Sequence, residues 1–406
     1  MSVKPVETGR RLVQNTMYDL ITPQNIDHYF TFKHIPGCGK QFRPMTFIKN
    51  EATFDEAKKW IRERLLTNTN NILEKMEDRN ELHILLSGGL DSCITLHCLR
   101  EFYDGKIISH TLNYTGTWEG KNTDLEYARK LSGIYGTEHY EHIVTAREMM
   151  SDMDDIARKL QLPFSGFISP YFASKMLPEN CSVFTGDLSD ELFGSYKGPR
   201  EVSTLGSDQD VLKWRYELDG WCVFSSNDKE SLYSGAFFNS IDTNSSFEIM
   251  KSWMPNTDDK VNSMLGLDWV SIAPDQVFYS PQMLMPQKDV SPFMDAEFID
   301  YVTSLPGGYK VRDGNVKHIL KEAFRGKIPD FVIEREKEGF VQPSNYWMFH
   351  DWESVVRETV CKNNKYLNKK YVDRLVDEYY SGNQALQYKV WNLFCFMKWV
   401  NIYDKS

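Results

Sequence analysis

A glycine-rich turn of small polar residues at positions 87–92 reads Ser-Gly-Gly-Leu-Asp-Ser and directly follows the apolar run 82–86. A strand that ends in such a turn and then enters a helix builds an anion site, because backbone N–H groups and the helix N-terminus converge there. Asp91 adds a carboxylate, which is a natural Mg²⁺ ligand when phosphates supply the other oxygens. No Gly-Lys-Ser/Thr follows, so the turn is not a Walker loop. The pattern predicts a nucleotide-phosphate site of another type.

A second motif, Gly-Asp-Leu-Ser-Asp-Glu-Leu-Phe-Gly-Ser-Tyr at positions 186–196, contains three closely spaced carboxylates. They belong to Asp187, Asp190 and Glu191, and their mutual repulsion favours a nearby cation. On its own, such a motif is typical of a solvated acidic turn. Together with the phosphate turn, it predicts Mg²⁺ shared between Asp91 and Asp190, with pyrophosphate completing the coordination.

Two lysines further along the chain could neutralise a leaving pyrophosphate, whose charge grows in the transition state. Lys337 lies in the segment Arg-Glu-Lys-Glu-Gly-Phe at 335–340, and Lys317 lies in an apolar helical pattern. A lysine can also donate a proton to a tetrahedral intermediate. Their spacing alone is that of ordinary surface lysines and assigns them no role.

The apolar periodicity predicts alternating strands and helices. Strands are expected at 82–86, 106–114, 139–144 and 182–185, and helices at 54–75, 92–102, 124–135, 146–160 and 170–178. This alternation implies right-handed crossovers and an α/β fold with a parallel sheet that carries helices on both faces. Because ligands bind beyond the carboxyl ends of such strands, we expect 87–92, 112–116 and 186–191 to meet at one edge.

The sequence divides into an N-terminal extension (1–53), an α/β core (54–200) and a mostly helical region that completes the site (201–406). Within the last region, 207–260 looks irregular. Helices are expected at 295–304, 315–325 and 371–404. The last of these is rich in aromatic residues, which we assign to the core rather than to a dimer surface. The sequence does not decide whether the protein forms a homo-oligomer.

Composition excludes several classes of protein. A net charge of −10 argues against a dedicated nucleic-acid binder. Seven scattered cysteines with no Cys-x-x-Cys pair fit reduced thiols rather than a zinc or disulfide framework. The N-terminus does not read as a signal peptide, and no apolar run is long enough to cross a membrane. We therefore expect a cytoplasmic protein without membrane association.

The ordered motifs resemble the synthetase domain of the asparagine synthetases, whose relatives include β-lactam synthetase and lasso-peptide cyclases. The resemblance covers roughly residues 54–345. It rests on 87–92, 186–196, Ser-Pro-Phe-Met-Asp at 291–295, Lys317 with Ala323-Phe324, and 335–340, with further matches at 124–129 and 136–139.

This resemblance implies a PP-loop fold, like that of the adenine nucleotide alpha hydrolases, and a ligase that uses ATP and Mg²⁺. The family adenylates a carboxylate, releases pyrophosphate and lets an amine attack the acyl-AMP, because AMP is a good leaving group. Asp91 and Asp190 match metal ligands. Lys317 would face pyrophosphate, Lys337 would stabilise both transition states, and Asp187 matches the residue that handles the amine proton. The positions that match nucleotide contacts are Leu86, Ser87, Gly88, Gly89, Asp91, Ser92, Leu112 and Gly186.

Four departures from the family bear on the substrates. Only about 80 residues precede the phosphate turn, so we expect no glutaminase domain. The amine would then be free ammonia, the product of a separate ammonia-supplying protein, or an amine on the substrate. Asp187 stands where asparagine synthetases carry a glutamate, and Gln161-Leu162-Pro163 stands where they read Asp-Glu-Pro. Val290 replaces an arginine, so aspartate leads as the acid while another carboxylate stays open.

Three functions are weighed. An amide-forming ligase leads, acting on aspartate and ammonia or tailoring a natural product, a peptide, a sugar acid or a modified base. A tRNA-modifying sulfurtransferase would use Cys93, which lies close to the phosphate turn, but it needs a persulfide cysteine pair and a basic RNA face. A non-catalytic nucleotide-binding protein would account for the departures, yet Asp91, Asp190, Lys317 and Lys337 are all retained.

Overall fold

A parallel β-sheet lies at the centre of the fold. The computed structural model describes residues 21–37, 45, 47, 50–116, 124–164, 166–204, 210–218, 221–336 and 342–404. The strands are β1 (Glu81–Leu85), β2 (Lys106–Tyr114), β3 (Glu138–Val144), β4 (Ser182–Phe184) and β5 (Lys288–Val290). They pair in the order β3-β2-β1-β4-β5, and every pairing is parallel. The predicted α/β fold class is confirmed.

The strand order places the two signature motifs side by side. β1 and β4 are neighbours, with His83 opposite Val183 and Ile84 opposite Phe184. The phosphate turn leaves the carboxyl end of β1, and the acidic motif leaves the carboxyl end of β4. Parallel pairing therefore brings both motifs to the same edge of the sheet, as the sequence predicted.

Helices surround the sheet and make up most of the other regular structure of the described chain. In chain order they are Pro23–Phe32, Phe54–Glu74, Leu90–Arg100, Asp124–Tyr135, Ala146–Leu160, Ser169–Ser174, Ser189–Phe193, Lys197–Val202, Val211–Lys213, Ser226–Leu232, Gly235–Phe238, Ser245–Ser252, Lys260–Ser271, Ser280–Leu284, Ala296–Ser304, Gly307–Lys310, His318–Phe324, Asp330–Ile333, Ser344–His350, Glu353–Val360, Lys369–Tyr380 and Gln387–Tyr403. Two π-helical turns, Trp214–Leu218 and Pro274–Tyr279, and two 3₁₀ turns, Pro292–Met294 and Gln384–Leu386, complete the described elements.

The long helix Phe54–Glu74 shows how the local sequence fixes an element. Thr53 accepts from the backbone N–H of Glu56, and the Glu56 carboxylate accepts from the N–H of Thr53. This reciprocal capping satisfies backbone donors that the first helical turn leaves without partners. Ala57, Ile61 and Leu65 are fully buried at helical spacing, so the helix packs this stripe on the core.

Two large apolar cores hold the fold together. The first contains Leu82, Ile107 and other buried residues of β1, β2 and β4, together with the helices that carry Ile94, Phe298 and Leu320. The second is built around the aromatic helix Gln387–Tyr403, which packs against Ala146–Leu160. Trp391, Phe394, Phe396 and Trp399 of this helix are buried, so the predicted assignment of its aromatic residues to the core is confirmed.

The N-terminal helix Pro23–Phe32 also belongs to the second core. Its Tyr29 and Phe30 are fully buried. Its Asp27 accepts from Lys229 Nζ and from the Tyr233 hydroxyl, each at 2.8 Å, and neither side chain of the ion pair is exposed. A buried charge needs an oppositely charged partner, because it has lost its contact with water. Removal of either Asp27 or Lys229 would leave the other charge uncompensated in the core.

Two predictions about the C-terminal half are wrong, and one element was missed. The region 207–260 is not irregular where it is described, because it contains helices such as Ser226–Leu232 and Ser245–Ser252. The single helix expected at 371–404 is interrupted by a turn between Lys369–Tyr380 and Gln387–Tyr403. The short strand β5 was not predicted. It extends the sheet with residues that follow position 200, where the sequence places the end of the α/β core, and that domain boundary stays a prediction.

In the described ranges, no helix combines the length and apolar character needed to cross a bilayer.

Candidate active site

The phosphate turn packs tightly against the helix Asp124–Tyr135. Gly88 has φ +74°, and a Cβ added there would lie 2.6 Å from Tyr127 Cβ and 2.8 Å from the Ala128 backbone nitrogen. Only glycine tolerates both this backbone conformation and this approach. Gly89 then caps the helix Leu90–Arg100 in an extended conformation, so the helix begins at the turn and its first N–H groups face the edge of the sheet.

Hydrogen bonds fix the backbone before and within the turn. The backbone N–H of Leu86 donates to His110 O at 2.8 Å, and the Thr111 hydroxyl donates to Leu86 O at 2.5 Å. The Ser87 hydroxyl accepts from the N–H of Gly89 and lies 3.2 Å from the Ser92 hydroxyl. These contacts tie the turn to the end of β2, which continues through the buried Leu112.

The acidic motif contacts the phosphate turn through Gly186. A Cβ added to Gly186 would lie 2.5 Å from Asp91 Cβ and 3.0 Å from the Ser92 backbone nitrogen. The Thr95 hydroxyl reinforces this contact, because it donates to both Asp91 O and Thr185 O. The structure therefore brings together the residues that the sequence predicted at positions 87–92 and 186–190.

Lys317 lies between the two predicted metal ligands. Its Nζ is 2.5 Å from Asp91 Oδ1, and it also contacts Asp190 Oδ1. The Ser189 hydroxyl donates to the same Asp91 oxygen at 2.7 Å and lies 3.3 Å from Lys317 Nζ. The ammonium group shows that the two carboxylates converge on one cation position, as a magnesium site shared between them requires.

The donor set of this position fits a nucleotide-bound metal rather than a metal held by protein alone. Within the described ranges, no group of three or more His, Cys, Asp or Glu side chains is arranged to hold a metal ion. Two carboxylates would leave most of the six oxygen positions around Mg²⁺ unfilled, so phosphate and water oxygens would have to supply the others.

The three carboxylates of the acidic motif have three different environments. Asp190 contacts Lys317. Glu191 is buried and accepts from the Tyr196 hydroxyl at 2.6 Å, and burial raises the pKa of Glu191 to about 7. Asp187 shares a hydrogen bond with the carboxyl group of Asp289 on β5. Of these three carboxylates, Asp190 is the one that contacts Lys317, in keeping with its predicted role as a metal ligand beside Asp91.

Asp187 and Asp289 form a carboxyl pair that the sequence analysis missed. The Thr185 hydroxyl links them, because it donates to Asp289 Oδ1 at 2.8 Å and accepts from the N–H of Asp187 at 3.3 Å. Burial, together with the negative charges of Asp289, Glu191 and Asp190, holds the pKa of Asp187 well above its usual range. Burial also raises the pKa of Asp289. Two neighbouring buried carboxyl groups do not ionise together easily, so the pair favours the retention of one proton.

Arg335 anchors the chain just before Lys337. Its Nη2 lies 2.6 Å from Asp124 Oδ1, and its guanidinium carbon lies 4.2 Å from the centre of the Tyr127 ring. Both partners lie in the first turn of the helix that supports Gly88. Lys337 itself lies outside the described residues, so its catalytic role stays a prediction.

The positions of the other departures are now defined. Gln161 ends the helix Ala146–Leu160 at φ +61°, and its carbonyl accepts from Trp399 Nε1 at 2.9 Å. Val290 pairs with Phe184 at the end of β5, and its carbonyl accepts from the N–H of Thr185.

Cys93 is buried, and this burial raises the pKa of its thiol to about 12. Such a thiol is a poor nucleophile, which disfavours the sulfurtransferase hypothesis.

Comparison with known proteins identifies the family. The family model described as asparagine synthase matches residues 69–401. The chain belongs to this asparagine synthase family. Family membership confirms the resemblance drawn from the five ordered motifs.

Individual relatives are distant and longer than this chain. Glutamine-hydrolyzing asparagine synthetase 1 of Bacillus subtilis is 22% identical over 354 residues, which are 78% of this chain and 55% of that protein. The rat enzyme is 24% identical over 287 residues, covering 67% and 41%. The human enzyme is 23% identical over 335 residues, covering 79% and 47%. This family member thus spans about half the length of the curated relatives that it matches.

Proposed function

We propose that this chain is an ATP-dependent ligase that adenylates a carboxylic acid, releases pyrophosphate and transfers the acyl group to ammonia or another amine. The observation that carries the proposal is the convergence of Asp91 and Asp190 on one cation position beside the phosphate turn. A triphosphate across Gly88 and Gly89 would place its charged oxygens next to this position. The family provides the reaction class, and the turn provides a matching anion site.

In the first step, a carboxylate oxygen of the acid attacks the α-phosphorus of ATP, and the bond to the β-phosphate oxygen breaks. Pyrophosphate leaves with the bonding electrons, and an acyl-AMP remains. When bound, Mg²⁺ would neutralise charge on the phosphate oxygens, held by Asp91 and Asp190. Lys317 contributes a positive charge at the same place, and we assign Lys337 to the developing charge of both steps.

In the second step, the amine attacks the acyl carbon, AMP leaves, and the amine nitrogen loses a proton. We assign Asp187 to accept this proton, with Asp289 as the residue that positions it and tunes its acidity. A carboxyl group with a raised pKa suits this task, because a base works best with a pKa near the working pH. Aspartate is the first acid to test. Aspartate has a second carboxylate, and the apolar Val290 offers no positive charge to bind it. Other acids are therefore equally important in the test.

An exchange assay tests the proposal. Intact protein, Mg²⁺ and ATP are incubated with labelled pyrophosphate and a panel of acids that contains aspartate, other amino acids, sugar acids and peptides. We expect label to enter ATP with one acid or one class of acids, because adenylation is reversible until the amine arrives. Exchange with none of the acids would contradict the proposal, and exchange with an acid other than aspartate would correct the substrate.

The variant Asp289→Asn should shift the pH dependence of amide formation. Loss of the neighbouring negative charge makes Asp187 easier to ionise and lowers its pKa. Because a carboxyl base is active only above its pKa, the acidic limb of kcat/KM should move to lower pH by about one unit or more. The matched control Lys288→Gln alters an exposed charge on the same strand and should leave the limb in place. If the acidic limb of kcat/KM did not shift in Asp289→Asn, Asp289 would have no role in tuning Asp187.

A further inference from the structure

Lys317 is the internal counter-ion of the candidate metal position. Its ammonium group contacts one oxygen each of Asp91 and Asp190, and the Ser189 hydroxyl completes the contacts with the same Asp91 oxygen. The carboxylates come from the phosphate turn and the acidic motif, 99 residues apart in the chain. The Lys317 side chain therefore links the two signature motifs through ion pairs.

The three side chains differ in their access to water. Lys317 is 2% exposed, whereas Asp91 and Asp190 are 16% and 28% exposed. Burial of a charged side chain is costly unless opposite charges replace the water that it loses. The two carboxylates, in turn, keep an open side on which phosphate oxygens can approach. The ammonium group compensates one of the two negative charges at the metal position before a nucleotide arrives.

The backbone of Lys317 is fixed while its side chain is long. The residue has φ +55° and precedes the helix His318–Phe324. Its N–H donates to Phe193 O at 3.3 Å, and its carbonyl accepts from the N–H of Lys321 at 2.9 Å. A lysine side chain has four rotatable methylene groups and a compact charge, so the ammonium can change partners without any change of fold.

We propose that the Lys317 ammonium occupies the cation position in the nucleotide-free protein and excludes free divalent metal from it. Metal then enters only together with a nucleotide, whose phosphates offer the displaced ammonium a new partner. This inference rests on the proposed function, because it takes Asp91 and Asp190 as the metal ligands. It adds an order of binding: metal and nucleotide enter as one complex, and Lys317 transfers its charge from the carboxylates to the phosphates.

Binding of Mn²⁺ to nucleotide-free protein tests this order, with free Mn²⁺ followed by electron paramagnetic resonance. Lys317→Met should show one saturable Mn²⁺ site, and wild-type protein should bind Mn²⁺ at least about tenfold more weakly, because its ammonium group competes for the same carboxylates. The matched control Lys327→Met removes an exposed charge beyond the same helix and should behave like wild type. Equal binding in wild type and Lys317→Met would overturn the inference.

A second measurement covers the case in which Lys317→Met is poorly folded, since the variant leaves two carboxylates facing each other. Mn²⁺ should then raise the melting temperature of Lys317→Met by several degrees and leave that of nucleotide-free wild type unchanged. A rise of the same size in wild type would contradict the proposal. Neither measurement uses ATP or an acid, so their failure is distinguishable from a failed pyrophosphate exchange.

Discussion

Asp91→Asn should lower ATP turnover by at least about 100-fold while the protein stays folded. Asp91 is the point where the phosphate turn, Ser189 and Lys317 meet. The amide has nearly the same shape as the carboxylate but lacks its charge. It would therefore weaken the metal position and leave Lys317 with one anionic partner fewer. Release of pyrophosphate in the presence of the preferred acid measures the effect.

The matched control for this variant is Asp104→Asn. Asp104 is exposed and precedes β2, so it lies at the amino end of the strands, opposite the candidate site. The same chemical change at this position should leave turnover within about twofold of wild type, because surface substitutions of this kind have small effects. Full activity of Asp91→Asn would remove Asp91 from the metal position.

Gly88→Ala should destabilise the protein by about 2 kcal/mol or more and weaken nucleotide binding at least tenfold. The added methyl group would meet Tyr127 Cβ and the Ala128 backbone nitrogen, neither of which can move without the helix Asp124–Tyr135. The positive φ of Gly88 adds strain. Thermal unfolding gives the loss of stability, and titration with a fluorescent adenine nucleotide gives the loss of affinity.

The same helix offers the control. Gly133 lies inside the helix Asp124–Tyr135, and an added Cβ would have no atom within 4 Å apart from the backbone of its own helical turns. Gly133→Ala should therefore raise stability by about 0.5–1 kcal/mol, because alanine loses less backbone entropy in a helix. Equal stability of the two variants would show that the turn does not depend on the close approach at Gly88.

Local sequence was sufficient to predict the sheet edge and the two signature motifs. β2 and the helix Asp124–Tyr135 have the predicted bounds, because their apolar periodicity is long and regular. The glycines at 88 and 89 and the carboxylates at 91 and 190 were predicted to meet, since parallel strands end at one edge. The three-residue strand β5 could not be predicted, because Val290 is its single apolar residue and so short a segment has no strand periodicity.

Side-chain partners that lie far apart in the chain could not be predicted from the sequence. Asp289 lies 102 residues beyond Asp187 in the chain and reaches it only because β5 pairs with β4. Arg335 was part of a quoted motif, yet nothing in that motif indicated Asp124 as its partner. The contact of Lys317 with Asp91 spans 226 residues. Charge complementarity suggests many such pairs in a chain of this size, and only the packing of the helices selects among them.

The products of ATP cleavage test the central claim most directly. Purified protein is incubated with ATP, Mg²⁺, ammonia and the acid that supports exchange, and the phosphorus-containing products are resolved by ³¹P nuclear magnetic resonance. Cleavage between the α- and β-phosphates should give AMP and pyrophosphate in equal amounts. Formation of ADP and inorganic phosphate instead would contradict adenylation at the glycine turn.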